Sequence, residues 1–208
     1  EARDRGRGRR ALDEDPPGRG VAASAVSAVD VQLAAVERWR ALYDEGLPGE
    51  ITPEHDLPLA WFRAAVESHP DLDALRYFET PITFAELDEL SDALAVGLAG
   101  LGVEPGDRVA LYLQNVPQFT IGQLALWKAG GICVPCNPML RERELTYQLS
   151  DSGATVLVCL EGLYRDVAAA ALPDTDVREV VTTSELDFLD QKPPGGLRGV
   201  ERARPSGT

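Results

Sequence analysis

The feature that most constrains the fold is an alternation of short apolar runs with helical patterns between residues 108 and 183. The runs have the length of buried strands and read RVALYL, ICVPC, TVLVCL and REVVTT. Apolar strands separated by helices are typical of βαβ units, whose strands pair in parallel and whose helices cover both faces of the sheet. The sequence therefore predicts an α/β fold with a mostly parallel sheet and right-handed crossovers.

The helices of this alternation are predicted from about Gln118 to Ala129, over RERELTYQLSDS and over YRDVAAAAL. Asn115 is expected to cap the first of them. The Gly130-Gly131 pair is expected to end that helix, and Gly153 and Pro173 to end the other two.

A second group of elements precedes the alternation. A helical pattern begins near Val31, and Asp56 is expected to cap a second helix that has Pro58 in its first turn. The segments LRYF and ITF then predict two short strands. These elements place additional helices and a small hairpin before the parallel sheet.

The clearest helix of the chain follows the hairpin. Thr83 and Glu86 have the spacing of a capping box. Apolar residues from Phe84 to Leu101 recur every three or four positions and form one stripe. Gly102 is placed for a left-handed C-terminal cap. The pattern predicts an amphipathic helix that packs on the core.

The composition divides the 208 residues into three regions. Residues 1–30 are rich in Arg, Gly and Ala without an aromatic residue, which predicts a disordered tail. Residues 31–184 hold the predicted elements, and residues 185–208 have a linker-like composition. Because the chain begins with Glu1, we expect a trimmed start or a piece of a longer protein.

The formal net charge of −14 disfavours the backbone of a nucleic acid or an anionic membrane as a partner. No apolar stretch is long enough for a transmembrane span. Three cysteines without a secretory signal predict a cytoplasmic location.

Glycine and serine motifs give no catalytic site. No G-x-G-x-x-G follows a strand, and G-x-x-x-x-G-K-[ST] and G-x-S-x-G do not occur in the sequence. Gly97, Gly100 and Gly102 end a helix instead of opening one. A catalytic triad therefore has almost no support.

Cys133 and Cys136 form a C-x-x-C pair, which raises a redox or a metal interpretation. The pair lies in or beside a predicted strand, where no helix N-terminus would stabilise a thiolate. Zinc would need two more ligands, and only Cys159, His55 and His69 remain. We expect buried structural cysteines, and a small redox protein stays an alternative.

Two further groups of residues have ordinary structural interpretations. Phe119 and Trp127 could line a pocket, but on so apolar a helix they are expected in the core. Glu142, Glu144 and Asp151 are expected on a solvated helix face. The residues themselves thus predict no catalytic, no cofactor-binding and no metal-binding side chain.

Two long segments resemble the amino-terminal region of the adenylate-forming (AMP-binding) enzymes, a superfamily of acyl-CoA synthetases, luciferases and peptide-synthetase adenylation domains. They read ITFAELDELSDALAVGLAGLGVEPGDRVALYLQN and LALWKAGGICVPCNPMLRERELTYQLSDSGATVLV. The lead-in ERWRALYDEGLPGEI is similar to that of bacterial long-chain fatty acid–CoA ligases. Within the resemblance, Lys128–Gly131 and Val134–Pro138 shape turns between helices and strands.

The resemblance implies an enzyme that activates a fatty acid or another carboxylate. Such enzymes join the acid to the AMP moiety of ATP with release of pyrophosphate, with Mg²⁺ offsetting phosphate charge, and the thiol of coenzyme A then attacks. The family's phosphate loop, of the type T-S-G-T-T-G-x-P-K-G, is not present in these residues. Ser206-Gly207-Thr208 could be the first residues of this loop, although no apolar strand precedes them.

Two hypotheses follow from this departure. The chain is either the amino-terminal portion of an ATP-dependent acyl-CoA synthetase, inactive by itself, or a stand-alone scaffold or dimerisation module of the same descent. A sheet that stops after REVVTT would leave an exposed strand edge, which predicts poor solubility or a homo-oligomer.

Overall fold

A computed structural model describes residues 28–189, and of residues 28–33 only the backbone. The chain divides into two units at Pro53. In the described part of the first unit, helix α1 spans Ala28–Arg40. The Arg40 guanidinium donates to the carboxylates of Glu37 and Glu50 and to the carbonyl of Gly49, each over 3.0 Å. These bonds fold the following segment back onto the helix end.

The second unit contains the hairpin and the sheet. Its helices are α2 Pro58–Ser68, α3 Phe84–Gly100, α4 Pro117–Ala129, α5 Glu142–Ser152, α6 Glu161–Leu163 and α7 Ala169–Ala171, with a π-helical segment Tyr164–Ala168 between the last two and a 3-10 turn Leu172–Asp174 after them. Its strands are β1 Asp73–Tyr77, β2 Thr80–Thr83, β3 Arg108–Tyr112, β4 Ile132–Cys136, β5 Val156–Leu160 and β6 Glu179–Thr183.

The four later strands form one parallel sheet in the order β4-β3-β5-β6. Strands β1 and β2 form a separate antiparallel hairpin, with Tyr77 opposite Thr80. All five residues of β5 are buried, as expected of a strand covered on both faces. The predicted α/β fold with a mostly parallel sheet is confirmed.

Alternate residues of the strands supply two cores, one on each face of the sheet. On one face Val109, Leu111, Val156 and Val158 pack with Ala125 and Leu126 of α4 and with Leu98 of α3. On the other face a second set of strand residues packs against α5 and against the segment from α6 to α7. This set consists of Ala110, Tyr112, Cys136, Leu157 and Cys159. Helices therefore cover both faces, as predicted.

A third cluster joins the hairpin to the helices. Ile82 of β2 and Leu87 of α3 pack with Ile121 and Leu124 of α4. Phe188, which follows β6, also packs against this cluster. The hairpin is thereby fixed to the main body of the second unit.

Two predicted N-caps are wrong for the same reason. Helix α2 begins at Pro58 and α4 at Pro117, so Leu57 and Val116 occupy the N-cap positions with extended backbones. Neither helix has a side-chain cap. A proline at the first helical position fixes the start of the helix, and this places Asp56 and Asn115 one residue too early to cap.

The single helix predicted over YRDVAAAAL is also incorrect in detail. Helical structure begins at Glu161 and includes the π-helical segment and the 3-10 turn. The π-helical residues read YRDVA and the alanines after them are α-helical, so the local sequence carries no periodic signal that would distinguish a π turn from an α turn. The buried residues of this segment are Val167, Ala168 and Ala171.

Other local predictions are confirmed. Thr83 Oγ1 accepts from the backbone N–H of Glu86, and the Glu86 carboxylate accepts from the N–H of Thr83. Gly130 ends α4 at φ 74°, with Pro105 Cβ only 3.1 Å from where a Cβ would lie. A side chain at this position would be strained in both backbone and contacts.

Candidate functional site

The carboxyl ends of the parallel strands define the candidate site. Strand β3 leads through α4, on one face, to β4, whereas β5 leads through α6 and α7, on the opposite face, to β6. The chain therefore turns in opposite directions from two neighbouring strands. Such a switch point opens a crevice at the strand ends, where open α/β sheets bind ligands.

The residues that follow these two strands lie at this crevice. Gln114 and Asn115 follow β3 and are exposed, and Glu161 follows β5 and is half-buried. They provide amide and carboxylate groups at the switch point. Such groups can bind and orient a ligand by hydrogen bonds.

The loop after β4 is held by a buried tyrosine. The Tyr112 hydroxyl donates to the carbonyl of Leu140 over 2.7 Å and lies 3.3 Å from that of Pro138. Asn137 Oδ1 accepts from the N–H of Met139 at 2.9 Å. Burial raises the pKa of Tyr112, so the hydroxyl remains a donor at neutral pH. The loop is thus fixed at both of its ends.

A second set of hydrogen bonds holds the turn after β6. Gln118 Nε2 donates to Thr183 Oγ1 over 3.0 Å and to the carbonyl of Ser184 over 2.7 Å. Asp187 Oδ2 accepts from Thr183 Oγ1 and from the N–H of Ser184, both at 2.8 Å. Gln118 is 7% exposed, and its Oε1 is buried without a hydrogen-bond partner. The turn is therefore tied to the first turn of α4.

The C-x-x-C pair is divided between the two faces of the sheet. Cys133 packs against the cluster that α4 covers, whereas Cys136 belongs to the cluster under α5. Residues three apart in a strand point to opposite faces, so these sulfurs are not placed for a disulfide. All three cysteines are free thiols.

Burial raises the pKa of all three thiols, to about 12 for Cys136 and for Cys159. Thiols with such values stay protonated at neutral pH, and a thiolate is the form that reacts or binds a metal. This environment supports the interpretation of Cys136 and Cys159 as structural residues.

The two histidines flank α2, whereas the three cysteines lie in strands β4 and β5. The His55 ring packs edge-on against Trp61 with ring centroids 5.0 Å apart, and His69 is an exposed C-cap of α2. Within residues 28–189, no group of three or more His, Cys, Asp or Glu side chains could hold a metal ion. The described residues thus offer no ligand set that fits Mg²⁺.

The remaining candidates lie in ordinary surroundings. Phe119 and Trp127 are half-buried against two different core clusters. Glu142, Glu144 and Asp151 are exposed on α5, where Glu144 also accepts from the N–H of Arg141. Gly97 and Gly100 lie within α3, and Gly102 follows it with φ 85°.

Some predictions fall on residues outside the described range. The disordered tail is such a prediction for residues 1–27, and the linker-like tail for residues 190–208. The triplet Ser206-Gly207-Thr208 also lies outside it. Within residues 28–189, no helix is both apolar and long enough to span a bilayer.

Sequence reasoning missed two polar side chains that organise this region, Tyr112 and Gln118. Gln118 carries a signal, since it is a polar residue at a buried position of a helix that is otherwise mostly apolar. A polar residue at a buried position needs a partner. The partners themselves are distant in sequence and could not be named.

The doubly wound parallel sheet with a switch point places this chain among the α/β folds, in which ligands bind outside the carboxyl ends of the strands. Comparison with known proteins gives the family: the family model of the AMP-binding enzymes matches residues 62–206, and the chain belongs to this family. The resemblance predicted from the sequence is confirmed.

The chain is 35% identical over 153 residues to a long-chain-fatty-acid–CoA ligase of Yersinia pestis, and 32% identical over 154 residues to one of Bacillus subtilis. Each match covers 73% of this chain and 27% of the relative. The chain thus spans about a quarter of the length of these curated relatives.

Among solved structures, the chain resembles a long-chain-fatty-acid-CoA ligase from Archaeoglobus fulgidus, with a TM-score of 0.59 and 28% identity. That match covers 70% of this chain and 32% of the other. The sheet and its helices therefore correspond to part of a ligase of this family.

Proposed function

We propose that this chain forms the amino-terminal α/β region of an ATP-dependent acid–CoA ligase that acts on a fatty acid or a similar carboxylate. The observation that carries the proposal is the family match over residues 62–206, together with relatives that are long-chain-fatty-acid–CoA ligases. In this proposal residues 31–184 are the folded region, and residues 1–30 and 185–208 flank it.

The reaction has two steps. A carboxylate is a poor electrophile because its charge is delocalised, so the acid is first joined to AMP with loss of pyrophosphate. The thiol of coenzyme A then attacks the mixed anhydride and releases AMP. ATP and coenzyme A are the co-substrates in this proposal, and Mg²⁺ supplies charge compensation for the phosphates when bound.

The chain's own residues contribute the framework of the site. Tyr112 fixes the loop after β4, and Gln118 fixes the turn after β6, both at the carboxyl edge of the sheet. We propose that these contacts hold the edge rigid, and that the chain by itself does not catalyse adenylation. The 208 residues contain no phosphate loop of the family type, which supports this part of the proposal.

The direct test is ATP–pyrophosphate exchange on the 208-residue chain with a panel of fatty acids. We expect exchange at the level of a protein-free blank, while a complete long-chain ligase assayed in parallel is active. Exchange above the blank, abolished by denaturation, would show that the chain is itself an adenylating enzyme.

A second candidate function is a stand-alone scaffold or dimerisation module of the same family. It is favoured by the two buried clusters that cover both faces of the sheet within the described residues. Sequencing the reading frame beyond Thr208 separates the two: a continuing frame with the phosphate loop supports the ligase, and a stop codon supports the module. Light scattering of the purified chain then tests for a homo-oligomer.

We also propose a cytoplasmic location and no nucleic-acid partner. Three free thiols suit a reducing compartment. The net charge of −14 opposes binding to a polyanion. Fractionation of the source cells and a filter-binding assay at low salt test the two statements.

A further inference from the structure

The parallel sheet of the second unit has two edges, and they differ. In the order β4-β3-β5-β6, strands β4 and β6 each pair on one side only within the described residues. An edge strand presents backbone N–H and C=O groups to any extended chain that can reach them, and proteins block or cover the edges that take no partner. The state of each edge therefore indicates whether it can accept another strand.

The β4 edge is blocked at Pro135. The Ile132 N–H donates to the Asp107 carbonyl over 2.7 Å, so the backbone of Ile132 faces β3 and that of Pro135 faces outward. Proline has no N–H to donate. The Pro135 carbonyl accepts from Gln148 Nε2 on α5 over 3.0 Å. At this position a further strand would find no donor and an acceptor that is already in use.

The β6 edge has no comparable block. Its residues Glu179–Thr183 read EVVTT and include no proline. Four of these five residues are β-branched, a type that favours strand pairing. Each of the five is exposed or half-buried, and in the described part of the chain only β5 pairs with β6. This edge is suited to accept one more strand.

Both hydrophobic cores of the sheet extend to β6. Val181 packs against the cluster that α4 covers, whereas Val180 packs against the cluster under α5. Both valines are half-buried, in contrast to the neighbouring strand β5, which is buried along its whole length. A strand added beside β6 would therefore remove apolar surface from water on both faces of the sheet.

We propose that β6 pairs antiparallel with β6 of a second copy of this chain, so that two four-stranded sheets form one sheet of eight strands. A twofold axis makes the same surface of each copy the partner of the other. Full overlap of the two strands then places Val181 opposite Val181 of the second copy. This pairing specifies the surface of the dimerisation candidate, and it can hold or fail independently of the ligase proposal.

The charges of β6 favour the antiparallel arrangement. In this register Glu179 lies opposite the neutral Thr183 of the second copy. The two Glu179 residues are four positions apart along the strands, which is roughly 13 Å. A parallel pairing in register would set the two glutamates side by side, and like charges directly opposite each other are destabilising. Strand β6 is therefore self-complementary in the antiparallel sense.

Disulfide formation across the twofold axis tests the register on the 208-residue chain. The variant Val181→Cys places two new thiols opposite each other, at a separation that a disulfide can bridge. Val134→Cys is the matched control, because Val134 is a half-buried valine of the other edge strand. Both variants also carry Cys133→Ser, which removes the native thiol of the β4 edge.

After mild oxidation, we expect a disulfide-linked dimer from Val181→Cys and a monomer from Val134→Cys on a non-reducing gel. Peptide mass spectrometry should locate the new bond at position 181 in both copies. A bond between two copies of the same position can form only between chains, so the product reports the pairing directly.

Sedimentation equilibrium measures the association of the unmodified chain. We expect a dimer whose dissociation constant falls as salt is added, because two copies of net charge −14 repel each other and salt screens the repulsion. Val181→Lys sets like charges opposite each other and should raise the dissociation constant roughly tenfold. Val134→Lys should leave the constant unchanged, and circular dichroism checks that both variants are folded.

Three results would overturn the proposal. The unmodified chain is a monomer at every concentration, or the two cysteine variants cross-link equally. Alternatively, Val181→Cys stays monomeric and its new thiol resists alkylation until the protein unfolds, which shows that the edge is covered within the same chain. ATP–pyrophosphate exchange is measured on the same samples, so a failure of the pairing is distinguishable from a failure of the ligase proposal.

Discussion

The ammonium of Lys128 lies 2.6 Å from Asp88 Oδ1 and joins α4 to α3. The same nitrogen donates to Asp92 Oδ1 at 2.6 Å and to the carbonyl of Asp88 at 2.9 Å. It also lies 5.7 Å from the ring centroid of Phe62 on α2. All three of its protons have an acceptor, so this buried charge is fully satisfied and ties three helices together.

Asp88→Asn is expected to destabilise the second unit more than Asp92→Asn. The Asp88 side chain is 33% exposed and that of Asp92 is 64% exposed, so the second ion pair is the more strongly screened by water. We expect a loss of about 1–3 kcal/mol for Asp88→Asn and below about 1 kcal/mol for Asp92→Asn. The midpoint of urea unfolding measures both, and an equal or reversed order would contradict the assignment.

The architecture was predictable from the sequence because short, mostly apolar runs alternate with helical patterns, although β6 also holds a glutamate and two threonines. β5, for example, is buried along its whole length, and no alternating pattern competes with this interpretation. The strand order was not predictable, since nothing local states that β3 lies between β4 and β5. Local periodicity shows whether a segment forms a strand or a helix, whereas the neighbours of each strand depend on the packing of the whole sheet.

The contacts of the candidate site illustrate the same limit. Gln118 and Thr183 are 65 positions apart, and Tyr112 and Leu140 are 28 apart. The sequence marks Gln118 as unusual within its helix but cannot supply its partner. The two incorrect N-cap predictions have a local cause instead. Asp56 and Asn115 are residue types that often cap helices, but the prolines that follow them determine where the helices begin.

Gln118→Glu is expected to loosen the turn after β6. The amide donates to Thr183 Oγ1 and to the Ser184 carbonyl, and a carboxylate would set a negative charge against that carbonyl oxygen. A buried group left without its partner costs about 1–3 kcal/mol. Amide hydrogen exchange of the peptide over residues 179–189 should accelerate. Gln148→Glu is the control, because Gln148 donates to the Pro135 carbonyl at an exposed position. Similar acceleration of exchange in both variants would argue against a specific role of Gln118.

Tyr112→Phe is expected to free the loop after β4 without opening a cavity. The change removes only the hydroxyl that donates to the Leu140 carbonyl, and we expect a loss of about 1 kcal/mol in the free energy of unfolding. Tyr147→Phe is the matched control, since Tyr147 is 70% exposed and its substitution should change stability by less than about 0.5 kcal/mol. Thermal unfolding measures both variants, and equal effects would show that the buried hydroxyl does not hold the loop.

Alkylation is expected to distinguish the three cysteines. Cys136 and Cys159 have pKa values raised to about 12 by burial, whereas Cys133 is only half-buried. Iodoacetamide at about pH 8 should modify Cys133 first and the other two only after unfolding, because the thiolate is the reactive form. Peptide mass spectrometry gives the order, and early labelling of Cys159 in the folded protein would contradict the buried assignment.

The same burial predicts how stability changes with pH. The unfolded thiols ionise near pH 9.0, whereas those of Cys136 and Cys159 stay protonated in the folded state to about 12. Above pH 9 the folded state therefore binds more protons than the unfolded state, and the free energy of unfolding falls as pH rises, by up to about 1.4 kcal/mol per pH unit for each thiol. Below pH 9 these thiols do not make the free energy of unfolding depend on pH.

Urea unfolding at several pH values measures the decline in stability. The double variant Cys136→Ala with Cys159→Ala should show a smaller decline above pH 9. An unchanged decline in that variant would show that other groups cause it.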